Sequence, residues 1–164
     1  MPHRMSHVTF GSFFNFLYIY EITVHYMTYD LIVIGAGPAG LTAGIYARTK
    51  MMSTLVLDAG VVGGQLVSLY PEKGIHNYPG YETIQARKLS DKLYAQAESL
   101  GCEIREKEKV MDVDDGNEEL IVRTDKAEYH TKSIIVAIGM GMFKPRRMGC
   151  DGELELEGKG LSYI

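Results

Sequence analysis

Apolar positions follow two rhythms along this chain. Leu31 to Ile34, Thr54 to Leu57 and Ser133 to Ile138 are unbroken runs of β-favouring residues, the pattern of strands in a parallel sheet. The first is expected at the sheet's centre. After Gly40 a helical segment places Leu41, Ile45 and Tyr46 on one side, and from Ile84 to Leu100 the residues Leu89, Leu93, Ala97 and Leu100 recur at helical spacing until Gly101 ends the helix. Cys102 to Arg105 reads as a short strand and completes β-α-β-α-β. The rhythm then changes: Val110 to Val113, Leu120 to Thr124 and Ala127 to Thr131 read as three short strands. Asp114, Asp115, Gly116 and Asn117 form the first turn, and Asp125 with Lys126 the second. An antiparallel piece thus stands where a crossover helix is expected, before Ser133 to Ile138 returns to the parallel sheet.

The ends differ from this α/β body. Residues 1–26 are crowded with Phe13, Phe14, Phe16, Tyr18 and Tyr20 but show neither helical nor alternating period. Glu21 and His25 close the run short of the roughly 20 apolar residues of a membrane span. Arg4 precedes it as in a signal peptide, yet no small-residue cleavage site follows. Met27 is therefore expected as the natural start, with 1–26 an upstream extension, 27–148 the domain and 149–164 a connector.

Composition narrows the partners. With 164 residues, a net charge of -4 and a pI near 5.7, the chain is large enough for one core, shows no basic face for nucleic acid, and reads as a soluble cytoplasmic protein. Cys102 and Cys150 form no C-x-x-C, so they are expected to be buried or idle thiols, not a zinc site or redox pair.

Candidate chemistry begins where the first strand stops. Gly35, Gly37 and Gly40 give G-x-G-x-x-G leading into a helix, with Pro38 and Ala39 between them. Gly35 permits a tight turn, Gly37 a close approach to a pyrophosphate and Gly40 close helix packing, while the helix start faces the anion. A plain structural turn can carry the same spelling, but Asp58, at the end of the next strand, stands where a carboxylate accepts ribose hydroxyls. An acid there favours FAD or NAD over NADP. In AGVVGGQL, Gly63 and Gly64 suggest backbone held near a flat or charged group, or a flexible turn. The loop Leu69 to Tyr81 is aromatic enough either to line a pocket or to pack over a sheet edge. His76 reads as a polar loop residue, and Lys144, Arg146 and Arg147 beside Phe143 as a solvated face or a dock for an acidic electron carrier. Spacing alone places no catalytic residues.

From Tyr29 to Tyr163, through IVIGAGPAG, GGQL, NYPGY, SIIVAIG and GKGLSY, the chain resembles the FAD domain of the low-molecular-weight thioredoxin reductase family. The fold implied is a Rossmann-like FAD-binding domain, a parallel sheet with a three-stranded antiparallel insertion, incomplete at its C-terminus. The loop lengthened by LYPEK looks like the ferredoxin or flavodoxin NADP reductase branch, and Ile164 stands where a thioredoxin reductase has its first redox cysteine. Asn77 departs, since that branch often has Asp there. By this resemblance the amides from Gly35 to Gly40 hold the FAD pyrophosphate and Asp58 the adenosine ribose. Gln65 and Asn77 hydrogen-bond near the isoalloxazine, Tyr70 stacks on or borders it, Val110 meets adenine through its backbone, Phe143 lies near the flavin, and Gly64, Leu66, Ala137 and Gly139 complete the cofactor-binding residues. Ala137, Ile138 and Gly139 replace the usual A-T-G and lose a hydroxyl. The family's NADPH domain and its returning G-D segment are not spelled here, so an exposed sheet edge and a half-open pocket are expected, with no NADPH oxidation unaided. The implied partners are a ferredoxin, flavodoxin or thioredoxin-like carrier, and a homodimer or a complementing C-terminal polypeptide. A thioredoxin reductase fragment and a non-catalytic FAD- or NAD-binding module are the alternatives.

Overall fold

The structure is a computed structural model that describes residues 27–116, 119–141, 147–157 and 159–161. The aromatic stretch within 1–26, Phe143, Lys144, Arg146 and the last three residues, through Ile164, lie outside the described residues.

Leu31–Ile34 (β2), Thr54–Leu57 (β3), Glu103–Arg105 (β6) and Ile134–Val136 (β10) form a parallel sheet in the order β10-β2-β3-β6. As expected, β2 is interior. Alternation along the strand sends Leu31 and Val33 into one core and Ile32 into another. The first core lies under helices Pro38–Thr49 (α1) and Ala86–Ser99 (α3), where Leu41, Ile45, Leu89, Leu93 and Ala97 are buried. The second lies under the antiparallel layer, Val110–Asp115 (β7), Leu120–Thr124 (β8) and Glu128–Thr131 (β9). Both faces of β2 and β3 are thus covered, which is why these two strands read as continuous apolar runs.

Several expectations need correction. Tyr46 is 69% exposed, because one residue beyond Ile45 is about 100° further round the helix. Ile84 and Gln85 form a strand (β5) paired antiparallel with Gly74–Ile75 (β4), so α3 starts at Ala86. Leu100 caps α3 and is exposed, whereas Gly101 does end the helix with φ +76°. Asp114 and Asp115 extend β7 and do not turn it. Thr28–Tyr29 (β1), which the sequence did not reveal, pairs parallel with β9 and joins the antiparallel layer. Short helices occupy Gln65–Ser68 (α2) and Glu153–Leu156 (α4), where the sequence pattern implies loop and connector. Among the described residues β10 lies at one end of the sheet, and its Ile135 and Val136 side chains are exposed.

The single residue between β1 and β2 is a junction. Asp30 Oδ2 accepts the Ser53 amide (2.8 Å) and hydroxyl (2.9 Å), and Oδ1 pairs with Lys132 Nζ at 2.6 Å. Lys132 first, then the Ser53 bonds, pull its carboxyl from 3.8 down to about 2. A depressed carboxylate contributes stability above its unfolded pKa and loses it as pH falls through the folded one. Thermal melts should therefore show Asp30→Asn less stable than the unaltered chain at pH 7, with the gap closing between pH 3.8 and about 2. A gap that persists undiminished through that window would contradict the assignment.

Candidate functional site

The site grows from the end of β2. Gly35 turns the chain at φ +109°, a conformation that glycine adopts without strain. A Cβ on Gly35 would lie 2.4 Å from the Ala137 carbonyl oxygen, because β10 runs alongside. On Gly40 it would lie 1.8 Å from the Gly35 carbonyl oxygen, so α1 packs directly on the turn. On Gly37 it would meet nothing within 4 Å, so the mouth of the turn is open. Gly37 is the N-cap of α1, Pro38 stands in its first turn, and no side chain caps it. The first-turn amides are left for an anion, with the positive end of the helix dipole behind them.

Ala36 between the glycines is held from both sides. Its amide donates to Asp58 Oδ2 (2.6 Å) and its carbonyl accepts from the Gly63 amide (2.8 Å). Asp58 Oδ1 takes the Gly60 amide at 2.8 Å. Each carboxylate oxygen keeps a lone pair, so Asp58 can still accept a ribose hydroxyl. Gly64, at φ +54°, lies against Gly37: a Cβ there would be 3.4 Å from Gly37 Cα. Gln65 opens α2, and its Nε2 is 4.0 Å from where a Cβ on Gly139 would stand. Residues 35–40, 64–65 and 137–139 therefore converge at the C-terminal ends of β2 and β10, where open α/β sheets bind ligands.

The other expected residues are dispersed around this centre. Leu66 packs on the first core, as Ala137 of the centre does, and Val110 packs on the second. Tyr70 is exposed; its amide bonds to the Gln65 carbonyl (3.3 Å), and Lys73 Nζ sits 5.2 Å from its ring centroid. Asn77 is exposed between β4 and β5. The aromatic loop divides: Tyr78 packs on the first core while Tyr70 and Tyr81 face solvent. His76 Nδ1 bonds to Thr83 Oγ1 across the hairpin (2.9 Å). Cys102 is buried, its thiol pushed up to about 11 by that burial, and Cys150 is exposed, so only one of the two is a core thiol.

The sequence did not reveal Glu106 and Glu108. Glu106 Oε1 accepts the Val62 amide (2.8 Å), and the Lys107 and Glu108 amides donate to the Gly60 and Asp58 carbonyls (2.9 Å each). Charged residues in a turn carry no local signal for such contacts. Among the described residues no cluster of His, Cys, Asp or Glu could hold a metal ion, and no helix is long and apolar enough to cross a membrane.

Comparison with known proteins gives a consistent set. Residues 29–164 match the profile of the pyridine nucleotide-disulphide oxidoreductases. The chain is 41% identical over 138 residues to a ferredoxin–NADP reductase of Metallosphaera sedula, covering 82% of this chain and 42% of that protein. It is 38% identical over 135 residues to a thioredoxin reductase of Bacillus subtilis, covering 82% of this chain and 40% of the relative. The crystal structure of Lactococcus lactis thioredoxin reductase superposes with a TM-score of 0.65 at 39% identity, over 79% of this chain and 40% of that one. That of T. acidophilum thioredoxin reductase gives 0.68 at 28% identity, over 81% and 41%. The chain thus spans well under half the length of these relatives.

Proposed function

We propose, from the premise that this chain belongs to the pyridine nucleotide-disulphide oxidoreductase family, that residues 27–148 are the N-terminal part of an FAD-binding domain. The supporting observation is the convergence of the glycine cradle, Gly64–Gln65 and Ala137–Gly139 at one end of the parallel sheet. The backbone from Gly35 to Gly40 would hold the pyrophosphate, with the open face of Gly37 admitting it. Asp58 would accept the adenosine ribose hydroxyls, and Val110, opening β7, would border the adenine. Gln65 and Asn77 would hydrogen-bond near the isoalloxazine, with Gly64, Leu66, Tyr70, Ala137 and Gly139 around it. FAD, when bound, supplies hydride acceptance and onward release of electrons; the protein orients it and tunes its ring.

Within the family we favour the NADPH-dependent reductases of ferredoxin or flavodoxin. The longer loop carrying Tyr70 and Lys73 supports this, as does Ile164 at the position where a thioredoxin reductase has its first redox cysteine. The thioredoxin reductase reading is favoured instead by the structural neighbours. Titration of the purified chain with FAD tests the core of the proposal. Flavin fluorescence should change to an endpoint of one FAD per chain, and no change up to about 100 µM would remove it.

A further inference from the structure

Three consecutive residues of the β6–β7 turn bond to the loop that follows β3. Glu106 receives the Val62 amide on its side chain, Lys107 donates to the Gly60 carbonyl, and Glu108 donates to the Asp58 carbonyl. That loop in turn holds the cradle, since Asp58 and Gly63 take the amide and carbonyl of Ala36. Lys107 sits at φ +52°, a left-handed conformation uncommon for a side chain other than glycine or asparagine. Such backbone persists where the surroundings over-determine it, as the bonds on either side do here.

We propose that the β6–β7 turn is a splint for the nucleotide cradle and that Glu106 is its positioning residue. Of the three bonds, only that of Glu106 comes from a side chain, so only it can be removed without altering the backbone. Val62 is next to Gly63, so the Glu106 carboxylate fixes the immediate neighbour of the residue that delivers an amide to Ala36. Losing it frees Val62 and Gly63 to move away from the cradle while both cores stay intact. Where the splint acts on ligand affinity, the inference rests on the FAD reading above; where it acts on the loop, it does not.

The test has two arms, on the full chain with Glu106→Ala and Glu106→Gln. In the first, amide hydrogen exchange without flavin should be about fivefold faster at Val62 and Gly63 in Glu106→Ala, the effect of one exposed hydrogen bond. Exchange in the buried strands β2 and β3 should not change. Glu106→Gln keeps an acceptor oxygen and should restore protection to within about twofold. In the second arm, FAD affinity should fall about fivefold in Glu106→Ala and recover in Glu106→Gln. Unchanged exchange at Val62 and Gly63, or equal acceleration throughout the domain, overturns the splint. Local acceleration in a chain that binds no FAD supports the splint and removes the cofactor reading instead.

Discussion

Alanine in place of Gly40 should abolish FAD binding and destabilise the fold by about 3 kcal/mol, the upper range for forcing a methyl into a packed site. The added Cβ would stand 1.8 Å from the Gly35 carbonyl oxygen and 3.3 Å from Val33 Cγ1. The nearest atom is backbone, at the turn that β10 also presses through Ala137, so it cannot swing aside as a side-chain tip would. To make room, α1 must lift from the sheet, opening the first core and moving the first-turn amides together. Gly37→Ala is the informative contrast. Its backbone, φ -71° and ψ -179°, suits alanine, and the methyl meets nothing within 4 Å. It should fold normally and lose FAD affinity alone, because the methyl fills the mouth of the cradle. Urea unfolding and FAD titration of both variants decide the matter. A Gly40→Ala chain that unfolds at the unaltered urea midpoint would show that the close approach is not rigid.

Glu108→Ala should cost about 3 kcal/mol, with most of the loss absent in Glu108→Gln. Glu108 is 4% exposed, and its Oε1 accepts the Tyr129 hydroxyl at 2.6 Å and the Thr124 hydroxyl at 2.8 Å. Glu108→Ala leaves both donors without that acceptor beneath the antiparallel layer, whereas glutamine retains a carbonyl oxygen. Burial first, and then the bond to Glu108, pushes the Tyr129 hydroxyl up from 10.0 to about 12. Its contribution is therefore present below pH 10 and is lost as pH rises toward 12. Chemical unfolding at pH 7 and pH 11 measures both effects. Equal stability of the alanine and glutamine variants would show that the hydrogen bonds contribute little.

Much of the scaffold was legible in the residues because the signals are local. Leu31 to Ile34 and Thr54 to Leu57 announce covered strands by lacking charged positions, and Leu89, Leu93 and Ala97 announce the buried face of α3. The glycine spacing likewise foretold the turn, since positive φ at Gly35 and the close approach at Gly40 leave room for no other residue. Tyr46 was misplaced because an aromatic beside Ile45 looks apolar in sequence, while helix geometry turns it to solvent. β1 and β4 are two residues long, too short for any period to register. The connection from Ala36 to Asp58 spans 22 positions, and that from Val62 to Glu106 spans 44.

The turn from Gly35 to Gly40 is held by Asp58 and Gly63 through Ala36 and lies against Ala137 and Gly64. By itself, the sequence determined the strand and helix order, the parallel sheet with its antiparallel insertion, and the glycines that shape the cradle. These follow from period, backbone freedom and turn chemistry, which act over a few residues. Tertiary structure alone decided that Ala36 is gripped by Asp58 and Gly63, and that Glu106 and Glu108 bond to the adjoining loop. Those outcomes depend on which distant polar groups meet when buried backbone must find partners, and neither spacing nor composition records such meetings.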